Sequence, residues 1–182
     1  MDAVKSAIGV LRSAARIAVI LAALAAAHAA DQSTEYEVKA AFLLNFTKFI
    51  EWPSSSFEDG QSPLTICIPG DDPFGAALTQ VVEGEVVNGR KVFVQHIQSA
   101  PKPKSCQVIF VRRADRNAIG ALESVGPGVL TVGDWPEFLR AGGIIAFDVE
   151  NRHVRFDINR RAAARAHLTL SARLLKVARS VR

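Results

Sequence analysis

The sequence is poor in the features that mark several common protein classes. It contains only two cysteines among 182 residues. That number is too small for a disulfide-rich miniature scaffold or for a metal centre held by several cysteines. With 12 glycines and 8 prolines, the composition is neither collagen-like nor disordered. The sequence also lacks an apolar run of the roughly 20 residues that a membrane-spanning helix needs. The 49% hydrophobic and 22% charged residues instead indicate one globular domain.

The first 29 residues have the pattern of a secretory signal peptide. Lys5, Arg12 and Arg16 precede a short apolar run over Ile17–Ala27, and small residues, Ala27 and Ala29, occupy the −3 and −1 positions of the predicted cleavage site. The run of about 11 residues is too short to cross a bilayer, although an uncleaved membrane anchor is the alternative. We predict cleavage after Ala29 and a single domain over residues 30–182.

The predicted mature chain is close to electrically neutral. Residues 30–182 hold 19 basic and 17 acidic side chains, a formal charge of +2. Because a net charge this small attracts an anionic partner only weakly over long distances, the sequence does not indicate a nucleic-acid partner. The predicted domain is an exported one of about 150 residues, which is large enough for a hydrophobic core.

Helical and strand patterns alternate along this domain. Val38, Phe42, Phe46 and Phe49 recur at helical spacing and predict a core-facing stripe. Asp72 before a proline predicts a helix N-cap. We predict helices over 35–50, 72–82, 115–125, 134–139 and 160 to nearly the end, and strands over 64–68, 92–97, 106–111, 129–132, 144–149 and 153–158.

The order of these elements predicts a layered α/β domain. Alternating helices and strands favour a mostly parallel sheet, and the last two strands, around a short polar turn, predict a C-terminal antiparallel hairpin. A long C-terminal helix should follow, with His167 and Leu174 on its packed face. Asp157 alternates away from Phe156 and should be solvated.

The sequence lacks the motifs of several enzyme classes. There is no Gly-x-Ser-x-Gly nucleophile motif. The segment Gly70–Gly75 has the glycine spacing of a phosphate-binding loop, but alanines follow it instead of lysine and serine or threonine. We interpret this segment as a strand-to-helix turn. Asp71 and Asp72 as ligands of a divalent cation are the alternative.

The histidines give no sign of a metal centre or a catalytic group. His96, His153 and His167 do not pair at metal-ligand spacing, and we expect structural roles for all three. The sequence therefore predicts no enzyme and no cofactor.

The last 25 residues carry positive charge only. No acidic residue follows Asp157, whereas seven basic ones do, and on a continuous helix they would form a basic face. We predict a partner-binding surface at Arg165, Lys176 and Arg179. A solvated face that complements the helix dipole and an anionic membrane surface are the alternatives.

Cys67 and Cys106 both fall on predicted strands. An even number of cysteines in an exported chain favours a disulfide, and two buried free thiols are the alternative. Closing the loop of about 40 residues would stabilise the fold by on the order of 4 kcal/mol. However, Cys67 lies late in its strand and Cys106 early in its own, which fits poorly if the strands are parallel neighbours.

Several segments together resemble the YfiR family of exported proteins. Val38–Pro53 is similar to the opening block of that family, and Ile66–Gly75 to its second. Residues 129–132 and 142–145 resemble the third block, and residues 155–159, 162–163 and 170–175 the fourth. The similarity extends over about residues 35–180.

The resemblance implies a periplasmic α/β regulator without catalytic activity. Relatives restrain a membrane-anchored diguanylate cyclase by binding its periplasmic sensor region, and an outer-membrane lipoprotein can sequester them. Relatives also form dimers, and Cys67 and Cys106 match a family disulfide, whereas a second family pair has no counterpart here. We therefore expect a regulator that acts by protein–protein contact. The alternative is a binding module for a small solute, with its pocket beyond the carboxyl ends of the parallel strands and Gly70–Gly75 on its rim.

Overall fold

An eight-stranded sheet organises the chain in the computed structural model. The structure describes residues 32–98, 102, 104–114 and 125–182. Residues Tyr36–Arg182 form one compact unit, and of the preceding unit only residues 32–35 are described. The predicted signal peptide and most of the helix predicted over 115–125 lie outside the described residues.

The described elements are mostly short. The helices are α1 over residues 32–48, α2 over Ala76–Val82, α3 over Arg160–Arg165 and α4 over Ala172–Val177, with 3-10 turns at Ser54–Ser56 and Pro136–Leu139. The strands are β1 (Ile50–Glu51), β2 (Leu64–Pro69), β3 (Val86–Val87), β4 (Arg90–Ile97), β5 (Val108–Val111), β6 (Leu130–Gly133), β7 (Ile145–Glu150), β8 (His153–Ile158), β9 (Thr169–Leu170) and β10 (Ser180–Val181).

The main sheet has the strand order β10-β8-β7-β6-β5-β2-β4-β3. Its pairs are parallel except β7–β8 and β3–β4, which are antiparallel. The prediction of an α/β fold with a mostly parallel sheet is therefore confirmed. The β7–β8 hairpin lies inside the sheet, because β10 pairs with the outer side of β8.

Helix α1 covers one face of the sheet because its apolar residues recur every three or four positions. Phe46 is buried, and its ring lies 5.7 Å from that of Phe147 on β7 and 5.0 Å from that of Phe156 on β8. Phe42 also packs against these two rings. The predicted stripe is wrong at Val38, which is 39% exposed.

The opposite face holds a second, smaller cluster around Trp135 and Phe138. The ring of Phe138 lies directly against the backbone of two glycines. A Cβ at Gly133 would come within 2.3 Å of this ring, and one at Gly143 within 2.2 Å. Glycine is therefore required at both positions by the close approach of the ring.

Helix α2 begins later than predicted. Asp72 accepts a hydrogen bond from the backbone N–H of Phe74 and does not cap the helix, which begins at Ala76 after Gly75. The reason is the burial of Phe74, whose ring lies 4.7 Å from that of Phe110. Gly75 then turns the chain with a φ of 54°, a conformation that glycine adopts at low cost.

The prediction of one long C-terminal helix is wrong. Residues 160–182 form α3, β9, α4 and β10 instead. The geometry of this segment decides where the predicted site residues lie.

Candidate functional site

The C-terminal segment leaves the sheet through a capped helix. The Asn159 side chain accepts a hydrogen bond of 3.0 Å from the backbone N–H of Ala162 and so caps α3. Ala162 and Ala163 are buried, which fixes the helix against the core. The helix ends when His167 adopts a left-handed conformation with a φ of 58°.

The end of α3 has the hydrogen bonds of a Schellman motif. The N–H of His167 donates to the carbonyl of Ala164, and the N–H of Leu168 to that of Ala163. Glycine is the usual residue at the position of His167. The imidazole is therefore exposed at a turn, and the prediction of a packed histidine on one long helix is wrong.

A small antiparallel pair then separates α3 from α4. Leu170 of β9 pairs with Ile50 of β1, directly after α1. Ser171 follows and caps α4 by accepting a hydrogen bond from the N–H of Leu174. This pairing with a distant part of the chain interrupts the predicted helix.

Arg179 ties the end of the chain to the sheet. Its guanidinium donates hydrogen bonds of 3.0 and 2.6 Å to the two carboxylate oxygens of Asp157. It also binds Asp148 on β7, while Glu150 lies 3.9 Å away. The prediction that Asp157 is solvated is wrong, because this residue is only 3% exposed.

The contacts of Arg179 keep the pair ionised. Burial is the largest single influence and opposes ionisation of the Asp157 carboxyl group, but hydrogen bonds together with the positive charges of Arg179 and Arg182 outweigh it, and the pKa of Asp157 is lowered. Hydrogen bonds to Asp157 and then to Asp148 raise the pKa of Arg179. The guanidinium is therefore occupied by two carboxylates in the free protein.

Arg165 lines an open cleft of about 160 Å³. The walls combine apolar side chains, including Val129, Ile144 and Ala166, with a similar share of polar atoms, and the hydroxyl of Thr131 accepts a hydrogen bond from the backbone N–H of Ile144. Among the described residues, no carboxylate forms a salt bridge with Arg165. The cleft thus combines partly apolar, partly polar walls with one available cation.

This cleft lies at a different edge from the pocket that the sequence predicted. Most of its residues outside α3 come just before β6 or β7, which places it at the amino ends of these strands. At the carboxyl ends, the Gly70–Gly75 loop carries two polar side-chain contacts. Asp72 lies 2.9 Å from His96 of β4, and Asp71 lies 3.4 Å from Arg112 after β5.

The predicted partner-binding residues do not lie on one helix. Arg165 is exposed at the cleft, and Lys176 is exposed on α4. Arg179, in contrast, is bound to Asp157 and Asp148. Since the three residues are not on a common helix, the basic helical face that motivated their choice is absent from residues 160–182. Their role in partner binding stays a prediction.

Cys67 and Cys106 form a disulfide with a Cα–Cα distance of 5.8 Å. Cys106 lies before β5 and not at its start as predicted, so the register of the parallel strands does not constrain it. The buried Gln107 organises this irregular segment. Its side-chain oxygen accepts a hydrogen bond from the backbone N–H of Thr65, and its side-chain nitrogen donates one to the carbonyl oxygen of Ser56. The apparent conflict between the two cysteine positions is thereby resolved.

The described residues contain neither a cluster of metal ligands nor a helix suited to cross a membrane. In the part of the chain that the structure describes, no three His, Cys, Asp or Glu side chains come together as a metal site. Among the helices of the described residues, none combines the length and apolar character that a membrane crossing requires.

Sequence reasoning missed the carboxylates that bind Arg179 and the walls of the cleft. Asp148 showed no motif, and the cleft residues are spread over positions 125–166, so no local pattern connects them. The caps at Asn159 and Ser171, however, are residue types that favour helix starts. They could have indicated two short helices.

The fold and these sites define a single α/β unit in which an exposed C-terminal segment flanks a small cleft. The chain belongs to the YfiR/HmsC-like family, whose model matches residues 36–179. Membership in this family of periplasmic regulators supports a regulatory role.

Two other comparisons add little. No curated protein matches the chain significantly. Among solved structures, a conserved domain protein from Vibrio cholerae O1 biovar El Tor aligns with a TM-score of 0.46 and 12% sequence identity. The alignment covers 65% of this chain and 54% of the other.

Proposed function

We propose that this protein is a non-enzymatic periplasmic regulator that acts by protein–protein contact. Its partner would be the periplasmic region of a membrane-anchored diguanylate cyclase or a similar sensor, whose cyclic-di-GMP synthesis it restrains. The observation that carries this proposal is the family match over nearly the whole described domain. Sequestration by an outer-membrane lipoprotein and homodimerisation belong to the same proposal.

The contact surface would include the exposed cations of the C-terminal segment. Arg165 and Lys176 are exposed and have no salt bridge among the described residues. Rim charges of this kind act mainly on association rate and salt dependence. Arg179 is a poorer candidate for substitution, because replacing it would leave the buried Asp157 without its partner.

Deleting the gene tests the proposal. Cellular cyclic-di-GMP should rise on deletion and fall again when an exported copy is restored. A copy without residues 1–29 should fail to restore it, because the proposed contact is on the periplasmic side. Mass spectrometry of the restored protein should find an N-terminus near Ala30. Unchanged cyclic-di-GMP on deletion would remove the cyclase as partner.

Arg165→Glu with Lys176→Glu tests the surface. This double variant should fold normally and bind the cyclase's periplasmic region more weakly, with the loss largest at low salt. The Lys91→Glu variant, on the exposed side of β4, is the control for a change of charge elsewhere. Unchanged binding in the double variant would exclude these two residues as the contact.

The cleft supports a second candidate function, the binding of a small solute. A cavity of about 150 Å³ can hold a molecule the size of benzene, and in this partly polar, open cleft Arg165 would bind a carboxylate group. Benzoate should therefore raise the melting temperature, whereas benzyl alcohol of similar size should not. Arg165→Leu should abolish the effect of benzoate. An equal effect of both compounds would exclude Arg165 as the anchor.

A further inference from the structure

Three arginines stand together on the surface of α3. Arg160, Arg161 and Arg165 are exposed, and among the described residues none of them has a salt bridge. The N–H of Arg160 donates to the carbonyl of Arg182, which brings a fourth exposed arginine next to the helix. We call these four residues the arginine ridge.

The ridge is held firmly in place. Ala162 and Ala163, which lie between Arg161 and Arg165 in the sequence, are buried, and Asn159 caps the helix at its start. The N–H of Arg182 donates to the carbonyl of Ile158, which secures the end of the chain. The backbone beneath the four cations is therefore ordered before any partner binds.

This arrangement of charge is unfavourable for the isolated protein. Arg161 and Arg165 are four residues apart on a helix, a spacing at which like charges destabilise it. The first turn of α3 has no acidic residue, and cations there oppose the helix dipole. Asp157, the last acidic residue of the sequence, is already bound by Arg179. Arg182 is attracted to Asp157, but the three cations on α3 have no salt bridge among the described residues, and a local arrangement that costs stability in this way is typical of a functional surface.

We propose that the arginine ridge docks an acidic polypeptide segment of the regulator's partner. The inference rests on the proposed function and names its contact surface and partner chemistry. Arginine binds carboxylates through two parallel hydrogen bonds, so a row of exposed guanidinium groups suits a run of Asp and Glu. A membrane surface fits less well, because the residues beside the arginines on α3 are alanines, and the exposed Val181 beside Arg182 offers little apolar surface for insertion.

The test measures binding of poly-L-glutamate to the full mature protein at low salt. The variant Arg160→Glu/Arg161→Glu should lower the affinity about tenfold or more, because the loss of even one charge-assisted hydrogen bond has an effect of this size. The control Lys91→Glu/Arg113→Glu changes net charge by the same amount, and both of its residues are exposed outside the ridge. It should lower the affinity by less than about twofold.

Stability gives a second readout that a merely structural role would not produce. The ridge variant places carboxylates in the first turn of α3 and near Arg165, so its melting temperature should stay the same or rise. Weaker binding together with equal or higher stability supports the proposal. A lower melting temperature with unfolding of α3 would show a structural role for the arginines and overturn it.

The remaining outcomes are decisive as well. Equal losses in the ridge variant and the control would mean that net charge alone governs binding. If the ridge variant keeps its affinity for poly-L-glutamate but no longer binds phosphatidylglycerol vesicles, the ridge is a lipid surface. Each of these results would overturn the proposal. If the ridge variant loses peptide binding yet still lowers cyclic-di-GMP in cells, the ridge is not the regulatory contact, although the proposed function stands.

Discussion

Two tight hairpins in the sheet have the same backbone geometry but different residues at the second turn position. The β3–β4 turn consists of Asn88 and Gly89, with φ values of 51° and 79°. The β7–β8 turn consists of Asn151 and Arg152, with φ values of 51° and 62°. Positive φ at both residues defines a type I′ turn, for which Asn-Gly is the preferred sequence. Arg152 therefore carries a backbone cost of about 1 kcal/mol that Gly89 avoids.

We predict that Arg152→Gly raises the free energy of unfolding by about 0.5 kcal/mol. Relief of the left-handed conformation exceeds the entropy that glycine adds to the unfolded chain. Urea unfolding of both proteins measures the difference. The reverse change at the matched turn, Gly89→Arg, should destabilise by about 1 kcal/mol. A less stable Arg152→Gly protein would show that the arginine side chain stabilises the turn by more than its backbone costs.

Among the elements, the C-terminal strand β10 is attached by a few backbone hydrogen bonds and by the ionic contacts of one side chain. This strand pairs with β8 at only two positions, Ser180 with Asp157 and Val181 with Ile158. So short a strand contributes few backbone hydrogen bonds, and Arg179 adds the contacts to Asp148 and Asp157. We expect the attachment of β10 to depend mainly on these ionic contacts.

Arg179→Met should destabilise the protein by about 3 kcal/mol, because it leaves the buried Asp157 carboxylate without a partner. Chemical denaturation measures the loss, and amide hydrogen exchange should rise first at residues 180–182. The double variant Arg179→Met/Asp157→Asn is the control, since it removes the unpaired charge and should recover part of the stability. If the double variant is no more stable than Arg179→Met, the cost does not come from the buried carboxylate.

Acid should weaken the same contact. The folded-state pKa of Asp157 lies below its ordinary value of 3.8, so its contribution is present at pH values above that value. It is then lost as the pH falls through the lowered pKa. We predict that wild-type stability declines below about pH 4 more steeply than that of Asp157→Asn. Melting temperatures of both proteins between pH 7 and 2.5 measure the difference, and parallel curves would contradict the prediction.

Elements with strong local signals could be predicted from the sequence, and those that depend on distant pairing could not. The run Leu64–Ile68 between two prolines predicts β2, and the spacing of Phe42 and Phe46 predicts α1. Residues 160–182, in contrast, keep a helical spacing of apolar residues and contain neither glycine nor proline. The helix is nevertheless interrupted because Leu170 pairs with Ile50, a contact across 120 positions. The positive charge of Arg165 marks it as a candidate binding residue in the sequence. The cleft that it lines, however, forms only when the chain folds as described.

At the scale of the whole molecule, the disulfide connects a central strand to the segment that precedes β5. Cys67 and Cys106 are 0% and 2% exposed and belong to the cluster that contains Trp135 and Phe138. Thiol–disulfide exchange requires direct attack of a thiolate on sulfur. A reductant can therefore reach this bond only after the surrounding structure opens. The geometry favours a structural role for the bond over that of a redox sensor.

We predict that the native disulfide resists dithiothreitol and becomes reducible in urea. Alkylation followed by mass spectrometry counts the free thiols under both conditions. The variant Cys67→Ser/Cys106→Ser should lose about 2–4 kcal/mol of stability, because the bond closes a loop with a sequence separation of 39 residues. The single variant Cys67→Ser is the matched comparison, since it also leaves a free thiol at Cys106 for reaction with other thiols. Rapid reduction of the folded wild-type protein would show that the sulfurs are accessible, and it would make a redox-sensing role the better interpretation of this bond.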